Sequence, residues 1–227
     1  MQRGKFITLE GGEGTGKTTQ IAKMAGALKA QGIDVITTRE PGGTPEAEKL
    51  RNLVVQRDGG DWDYITEAML FAAARREHLV KKIWPALSEG KWVISDRFLD
   101  STRVYQGYAH GVDKSLIEGL YYMIAEDFEP DLTFILDIDP VTGLERSRAQ
   151  LLSSHNAKEN TEDRFERIGL DFHQKLREGY LKIAEQDSKR CVVIDAGQTV
   201  AEIHRQMMDV LVIKCQLQKK GCQNGAV

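Results

Sequence analysis

Gly11-Gly12-Glu13-Gly14-Thr15-Gly16-Lys17-Thr18 has the spacing G-x-x-x-x-G-K-[ST]. Glycines at these positions let successive backbone N–H groups turn inward and form a nest for phosphate oxygens. A helix beginning at the end of the loop adds its partial positive charge. In that arrangement Lys17 reaches the β- and γ-phosphates of a nucleoside triphosphate, and Thr18, followed by Thr19, sets a hydroxyl on Mg2+. ATP is the expected triphosphate, held by residues 11–19. The loop alone does not separate a kinase from a GTPase or an ATPase.

Two arginines narrow the choice. Arg39-Glu40-Pro41-Gly42-Gly43-Thr44 closes one predicted strand, and Asp96-Arg97 closes another. On a parallel sheet both strand ends share the edge that carries the phosphate loop. Guanidinium forks match phosphate geometry, so Arg39 and Arg97 could grip a second phosphate. Asp96 could accept from a Mg2+-bound water or orient that acceptor phosphate. Taken singly, either arginine would be a solvated ion-pair residue; together, beside a phosphate loop, they favour binding. In-line transfer needs two phosphates held close while their charge is neutralised. The Asp-x-x-Gly switch and the Asn-Lys-x-Asp guanine signature of a GTPase are missing from plausible positions.

These residues need a scaffold that gathers strand ends, and the chain supplies one. Phe6–Glu10 (FITLE) is a β-prone run feeding the glycine loop. Ile21, Met24, Ala25 and Leu28 recur at helical spacing, which predicts a helix over 17–31 with Gly32 as its stop. Further strands are predicted at 33–38, 91–95, 132–137 and 191–195, and the apolar run at 132–137 suits a strand covered on both faces. Thr44-Pro45 reads as a cap with proline at the first helical position, opening a helix through residue 56. Helices are also predicted at 64–87, 113–128 and 163–186, from Pro140, and from Thr199. Residues 153–162 read as a polar surface loop and 218–227 as a disordered tail. The alternation implies an α/β fold: a doubly wound, five-stranded parallel sheet flanked by helices, in one domain spanning 1–217. Ligands of such sheets bind beyond the carboxyl ends of the strands.

Composition excludes several other classes. The 227-residue chain carries a net charge of −3, which offers no general handle for nucleic acid or a membrane surface. Cys191, Cys215 and Cys222 are odd in number and form no Cys-x-x-Cys pair, which argues against a disulfide framework or a zinc site. The histidines show no His-Glu-x-x-His spacing. Met1 to Lys5 is too short for a signal peptide, and no apolar run reaches membrane-spanning length. A soluble, cytoplasmic protein is expected.

Over nearly its whole length the chain resembles the bacterial thymidylate kinases. The matching motifs are GGEGTGKTT (11–19), REPGGT (39–44), LFAAAR (70–75), SDRFLDST (95–102), YQG (105–107), PDLTFILD (130–137), DRFE (163–166) and VIDAGQ (193–198). The resemblance implies a P-loop nucleoside monophosphate kinase with a mobile lid at about 146–164. It implies transfer of the γ-phosphoryl group of ATP to dTMP, with Mg2+, in a homodimer. By the same resemblance Phe71 stacks on thymine, and Arg75, one helical turn on, bonds a thymine carbonyl. Gln106 pairs with the polar edge of the base, and Tyr105 crowds the 2′ position against ribonucleotides. Glu13 takes the sugar 3′-hydroxyl. Arg39 and Arg97 hold the acceptor phosphate, Pro41 and Ser101 complete that site, and the turn at 195–198 lies near adenine.

The resemblance also implies a lid arginine acting on the transferring group. One arrangement in the family places an arginine after the acid of the phosphate loop; here Gly14 follows Glu13. The lid must then supply it, and Arg146 and Arg148 match the arginine-rich stretch, with Gln150 where many relatives carry another arginine. Arg148 is the first choice, with Arg146 and Arg164 as alternatives. Two other readings stay open: a kinase of another nucleotide or small metabolite, and a nucleotide-dependent switch without transferase activity. The Phe71, Arg75, Tyr105 and Gln106 set speaks against the first, and the paired arginines speak against the second.

Overall fold

The strands are β1 (Phe6–Glu10), β2 (Val35–Arg39), β3 (Trp92–Asp96), β4 (Leu132–Asp137) and β5 (Cys191–Asp195). In the computed structural model, which describes residues 3–56, 60–153, 164–215 and 217, they form one parallel sheet in the order β2-β3-β1-β4-β5. β1 is central, and every one of its residues is buried. The period of two sends Ile7 and Leu9 to one face and Phe6, Thr8 and Glu10 to the other.

Both faces are covered, as a parallel sheet requires. On the first, helices α1 (Lys17–Ala30) and α9 (Val200–Lys214) lay Met24, Leu28, Met207 and Leu211 against Ile7, Leu9 and Phe134. On the second, the turn Leu79–Ile83 that follows α3 (Tyr64–His78), with α4 (Trp84–Ser88) and α6 (Lys114–Ala125), closes over Phe6 and Val93. Helix α8 (Leu170–Gln186) packs Leu176 and Tyr180 against Ile135. Each such side chain, fully buried, contributes roughly 1.5–3 kcal/mol. The remaining described helices are α2 (Pro45–Val55), α5 (Leu99–Thr102) and α7 (Pro140–Ser153). Thr44 does cap α2, its hydroxyl accepting from the Ala47 N–H at 3.3 Å.

Several expectations need correction. Strands β2 and β3 both begin and end later than expected, β2 starting at Val35 and β3 at Trp92, and Arg39 and Asp96 are paired as their last residues. The helix expected over 64–87 contains a π turn at Leu79–Ile83; Pro85, just beyond, has no N–H to donate, and the wider turn absorbs that loss. The helix expected over 113–128 stops at Ala125, where Glu126 takes φ +54°. The helix expected over 163–186 is divided. A short 3-10 turn, Phe165–Arg167, precedes extended Gly169, and α8 begins only at Leu170.

A helical stretch was not expected after β3. There α5 runs straight into a π turn at Arg103–Ala109. Val104 and Gly107 are weak helix formers, but Val104 and Tyr105 pack against Phe172, Leu176 and Tyr180 of α8, and packing decides. The loop expected at 153–162 lies, beyond Ser153, outside the described residues, as do Asp163 and the tail 218–227. Among the described residues no helix is long and apolar enough to cross a membrane.

Candidate active site

The loop after β1 is shaped by glycines that no other residue could replace without strain. Gly11, Gly14 and Gly16 have φ of 136°, 67° and 84°. A Cβ on Gly14 would lie 1.9 Å from the carbonyl oxygen of Gly143 in α7, so the loop is pressed against that helix. Lys17, at the start of α1, points its Nζ at the carbonyls of Gly12 (2.9 Å) and Gly11 (3.1 Å). Burial and the neighbouring Arg97 pull its pKa below the usual lysine range, against the opposing charges of Glu13, Asp96 and Glu10.

Thr18 donates its hydroxyl to the Asp96 carboxylate at 3.1 Å. One hydroxyl beside one carboxylate is the donor set that Mg2+ takes when phosphates and water complete its octahedron. Among the described residues no cluster of three or more carboxylate, histidine or cysteine side chains could hold a metal unaided. The residues therefore fit a cation that arrives with a triphosphate.

Arg97 follows β3 and takes φ +68°, a left-handed conformation uncommon outside glycine. Its backbone N–H is held by the Leu9 carbonyl at 2.9 Å. From there the side chain reaches back over β1. Nη1 donates to the Gly11 carbonyl (3.0 Å), the Tyr180 hydroxyl (3.1 Å) and Ser101 Oγ (3.2 Å), and Nη2 donates to Glu13 Oε1 (2.8 Å). Glu13 also accepts from the Tyr105 hydroxyl at 3.0 Å. Burial works against its charge, yet Arg97 and Lys17 hold its carboxyl below the usual range.

Beneath this cluster lies Glu10, fully buried at the end of β1. It accepts from Ser101 Oγ (2.6 Å), the Phe98 N–H (2.7 Å) and the Tyr180 hydroxyl (3.2 Å). Burial first, and then the nearby Asp100 charge, push its pKa up to about 7.

A cavity of about 160 Å³ opens between α3 and the helical stretch after β3, and it is lined by Pro41, Phe71, Arg75, Ser101, Tyr105 and Gln106, among others. Phe71 and Arg75 sit one turn apart on α3. Arg75 Nε meets Glu40 Oε2 at 2.7 Å, and its Nη2 donates to Thr102 Oγ1 (3.0 Å) and the Phe98 carbonyl (3.2 Å). His78 Nδ1 lies 3.0 Å from the other Glu40 oxygen, and its Nε2 lies 2.6 Å from Thr38 Oγ1. This buried set fixes Arg75 at the wall. The Tyr105 ring meets Phe165 edge-on, at 5.3 Å between centroids. Gln106 Nε2 donates to Glu67 Oε1 at 2.7 Å.

A second, more open cleft of about 830 Å³ carries residues 13–19, Arg39 and Asp96. Glu13, Glu40, Arg51 and Arg97 line both spaces, so the two adjoin across that wall. Arg39 is half-turned to solvent, 3.0 Å from Glu48. The three lid candidates line neither space. Arg146 donates to the Ala196 carbonyl (2.8 Å), at the turn expected near adenine. Arg148 is exposed on α7. Arg164 meets Glu67 Oε2 (2.5 Å) and the Val54 carbonyl (2.8 Å).

Sequence reading missed Glu10, Glu40, Arg51, Glu67, Thr102 and Tyr180. Glu40 and Thr102 lie inside quoted motifs and Glu10 abuts one, so a search of those motifs for buried polar neighbours could have found them. Tyr180 falls on the apolar face of α8, and no spacing announces that its hydroxyl reaches Arg97.

Comparison with known proteins gives one consistent result. The sequence pattern that defines the thymidylate kinase family matches residues 9–207. The thymidylate kinase of Afipia carboxidovorans is 46% identical over 212 residues, covering 92% of this chain and 89% of that one. That of Shouchella clausii is 44% identical over 209 residues, covering 92% and 95%. A crystal structure of thymidylate kinase from Ehrlichia chaffeensis superimposes with a TM-score of 0.70 at 36% identity, covering 92% of this chain and 99% of that one.

Proposed function

Since the chain belongs to the thymidylate kinase family and phosphorylates dTMP to dTDP at the expense of ATP, we propose that its two adjoining spaces divide the substrates between them. The cavity beside Phe71 takes dTMP and the more open cleft takes the triphosphate. The observation that carries this reading is the common wall of Glu13, Glu40, Arg51 and Arg97. A wall with two guanidinium groups between two nucleotide sites is where two phosphates would meet.

In this reading Phe71 stacks on thymine, Arg75 donates to a base carbonyl and Gln106 serves the polar edge. Tyr105 stands at the 2′ position and Glu13 receives the 3′-hydroxyl. Arg97, steadied by Ser101 and Tyr180, holds the 5′-phosphate, with Arg39 and Pro41 at its margin. Lys17 and the loop amides of 11–19 cradle the ATP phosphates. The acceptor oxygen of dTMP bonds to the γ-phosphorus as the bond to the β-γ bridging oxygen breaks, leaving ADP. Thr18 and Asp96 would hold Mg2+, which supplies positive charge to the phosphates when bound. An arginine from the lid, Arg148 before Arg146 or Arg164, meets the transferring group on closure, which also excludes water.

The chain acts in the cytoplasm as a single kinase domain and as a homodimer. Support for the dimer comes from exposed apolar side chains on the neighbouring helices α3 (Ile65, Met69) and α6 (Tyr122, Met123). The test of the site is Phe71→Ala and Arg75→Met. Each raises the KM for dTMP at least tenfold, about the loss of one good base contact, while the Kd for ATP stays put. An unchanged KM would overturn the assignment of the cavity.

A further inference from the structure

Glu67 touches neither space, yet it is fully buried and both its oxygens are committed. Oε1 accepts from Gln106 Nε2 at 2.7 Å, and Oε2 pairs with Arg164 Nη1 at 2.5 Å. Arg164 is in turn anchored on the Val54 carbonyl at the end of α2. Three elements distant in sequence thus converge on one carboxylate.

The consequence lies in the chemistry of the amide. A side-chain amide can be turned either way round, offering N–H or C=O to a given neighbour. A carboxylate paired with an arginine only accepts, so it must receive the N–H of Gln106. That leaves Oε1 as the acceptor the amide offers elsewhere, on a residue that lines the cavity beside Arg75. An acceptor from Gln106 next to a donor from Arg75 complements a pyrimidine that has a ring N–H beside a carbonyl. Thymine and uracil have that edge. Cytosine reverses it, with an unprotonated ring nitrogen beside an amino group.

We infer that Glu67 is a positioning residue that sets base selectivity, fixing the Gln106 amide so that the cavity takes a pyrimidine with a ring N–H and rejects cytosine. This rests on the proposed placement of the base against Gln106. Arg164, itself anchored on the Val54 carbonyl, holds the second oxygen of Glu67 and so keeps the carboxylate in place beneath Gln106.

The test compares kcat and KM for dTMP, dUMP and dCMP in the full-length chain and in E67Q. An amide at 67 can donate as well as accept, which frees Gln106 to turn over. The expected result is a rise in KM of about tenfold for dTMP and dUMP alike, the worth of one oriented hydrogen bond. The dTMP to dUMP ratio is kept, and the preference for dTMP over dCMP falls by a similar factor. If E67Q does not fold, E67D draws the oxygen back from Gln106 while keeping the charge, and it shifts the same ratio in the same direction. A merely structural Glu67 would lower the melting temperature or turnover for every acceptor equally and leave the dTMP to dCMP ratio intact, which overturns the inference. Q106L separates the two claims. A collapsed ratio in Q106L with an intact ratio in E67Q and E67D defeats only the role of Glu67, whereas an intact ratio in Q106L defeats the placement of the base itself.

Discussion

Arg97 Nη2 lies 2.8 Å from Glu13 Oε1, joining the end of β3 to the phosphate loop, and its backbone is held at φ +68° to make that reach. The same guanidinium spans Gly11, Ser101 and Tyr180. A lysine has a point charge and cannot fork in this way. Arg97→Lys is expected to lower kcat/KM for dTMP by about 10²–10³, the range for losing a preorganised charge at a reacting centre. Steady-state kinetics with saturating ATP measures it; a loss of less than a few-fold would show that Arg97 serves the fold and not the substrate.

Gly14 and Gly16 both need positive φ, but only Gly14 is pressed against another backbone. An alanine at 16 meets nothing within 4 Å and pays only the left-handed backbone penalty, roughly 1–2 kcal/mol. An alanine at 14 must also displace the Gly143 carbonyl, 1.9 Å from its Cβ. Gly14→Ala should therefore melt at a lower temperature than Gly16→Ala. Gly143→Ala should resemble it, since its Cβ would lie 2.5 Å from the Glu13 carbonyl oxygen. Thermal unfolding of the three variants orders them.

The buried Glu10 gives a pH dependence with a defined sign. Its pKa rises from 4.5 to about 7, chiefly by burial and then by the charge of Asp100. The folded chain thus favours the protonated form more than the unfolded chain does. Its contribution to stability is complete below about pH 4.5 and is lost as pH rises through about 7. The melting temperature of the native chain should fall across that window relative to Glu10→Gln, which cannot ionise. Calorimetry of both proteins over the window checks this, and parallel curves would contradict it.

Arg148→Ala should lower kcat on the order of 10³, the scale of an arginine that meets a transferring phosphoryl group, while the Kd values for ATP and dTMP change little. Arg164→Ala, which breaks the 2.5 Å pair with Glu67, should act instead on the KM for dTMP. If turnover survives Arg148→Ala within a few-fold, the role passes to Arg146 or Arg164.

The strands and the phosphate loop were legible because their signals are local. Apolar β-branched runs, a glycine loop and a Thr-Pro cap each act within a few residues. Phe71, Arg75, Tyr105 and Gln106 were legible through quoted motifs, and the structure gathers them around one cavity. The supports of these residues were not legible. Glu67 is separated from Gln106 by 39 positions and from Arg164 by 97, and nothing in either neighbourhood marks the contact. Tyr180 reads as one more apolar position of α8. The break before α8 was missed because Gly169 acts through a backbone conformation that helical periodicity does not report.

The most direct measurement is coupled ADP release with Mg·ATP and a panel of nucleoside monophosphates. The account predicts strong turnover with dTMP, weaker turnover with dUMP, and negligible turnover with AMP, CMP and GMP. Preferred turnover of another acceptor would leave the fold and the transfer chemistry standing and contradict the assignment of Phe71, Arg75 and Gln106 to thymine. Absence of turnover with every acceptor would contradict the account at its centre.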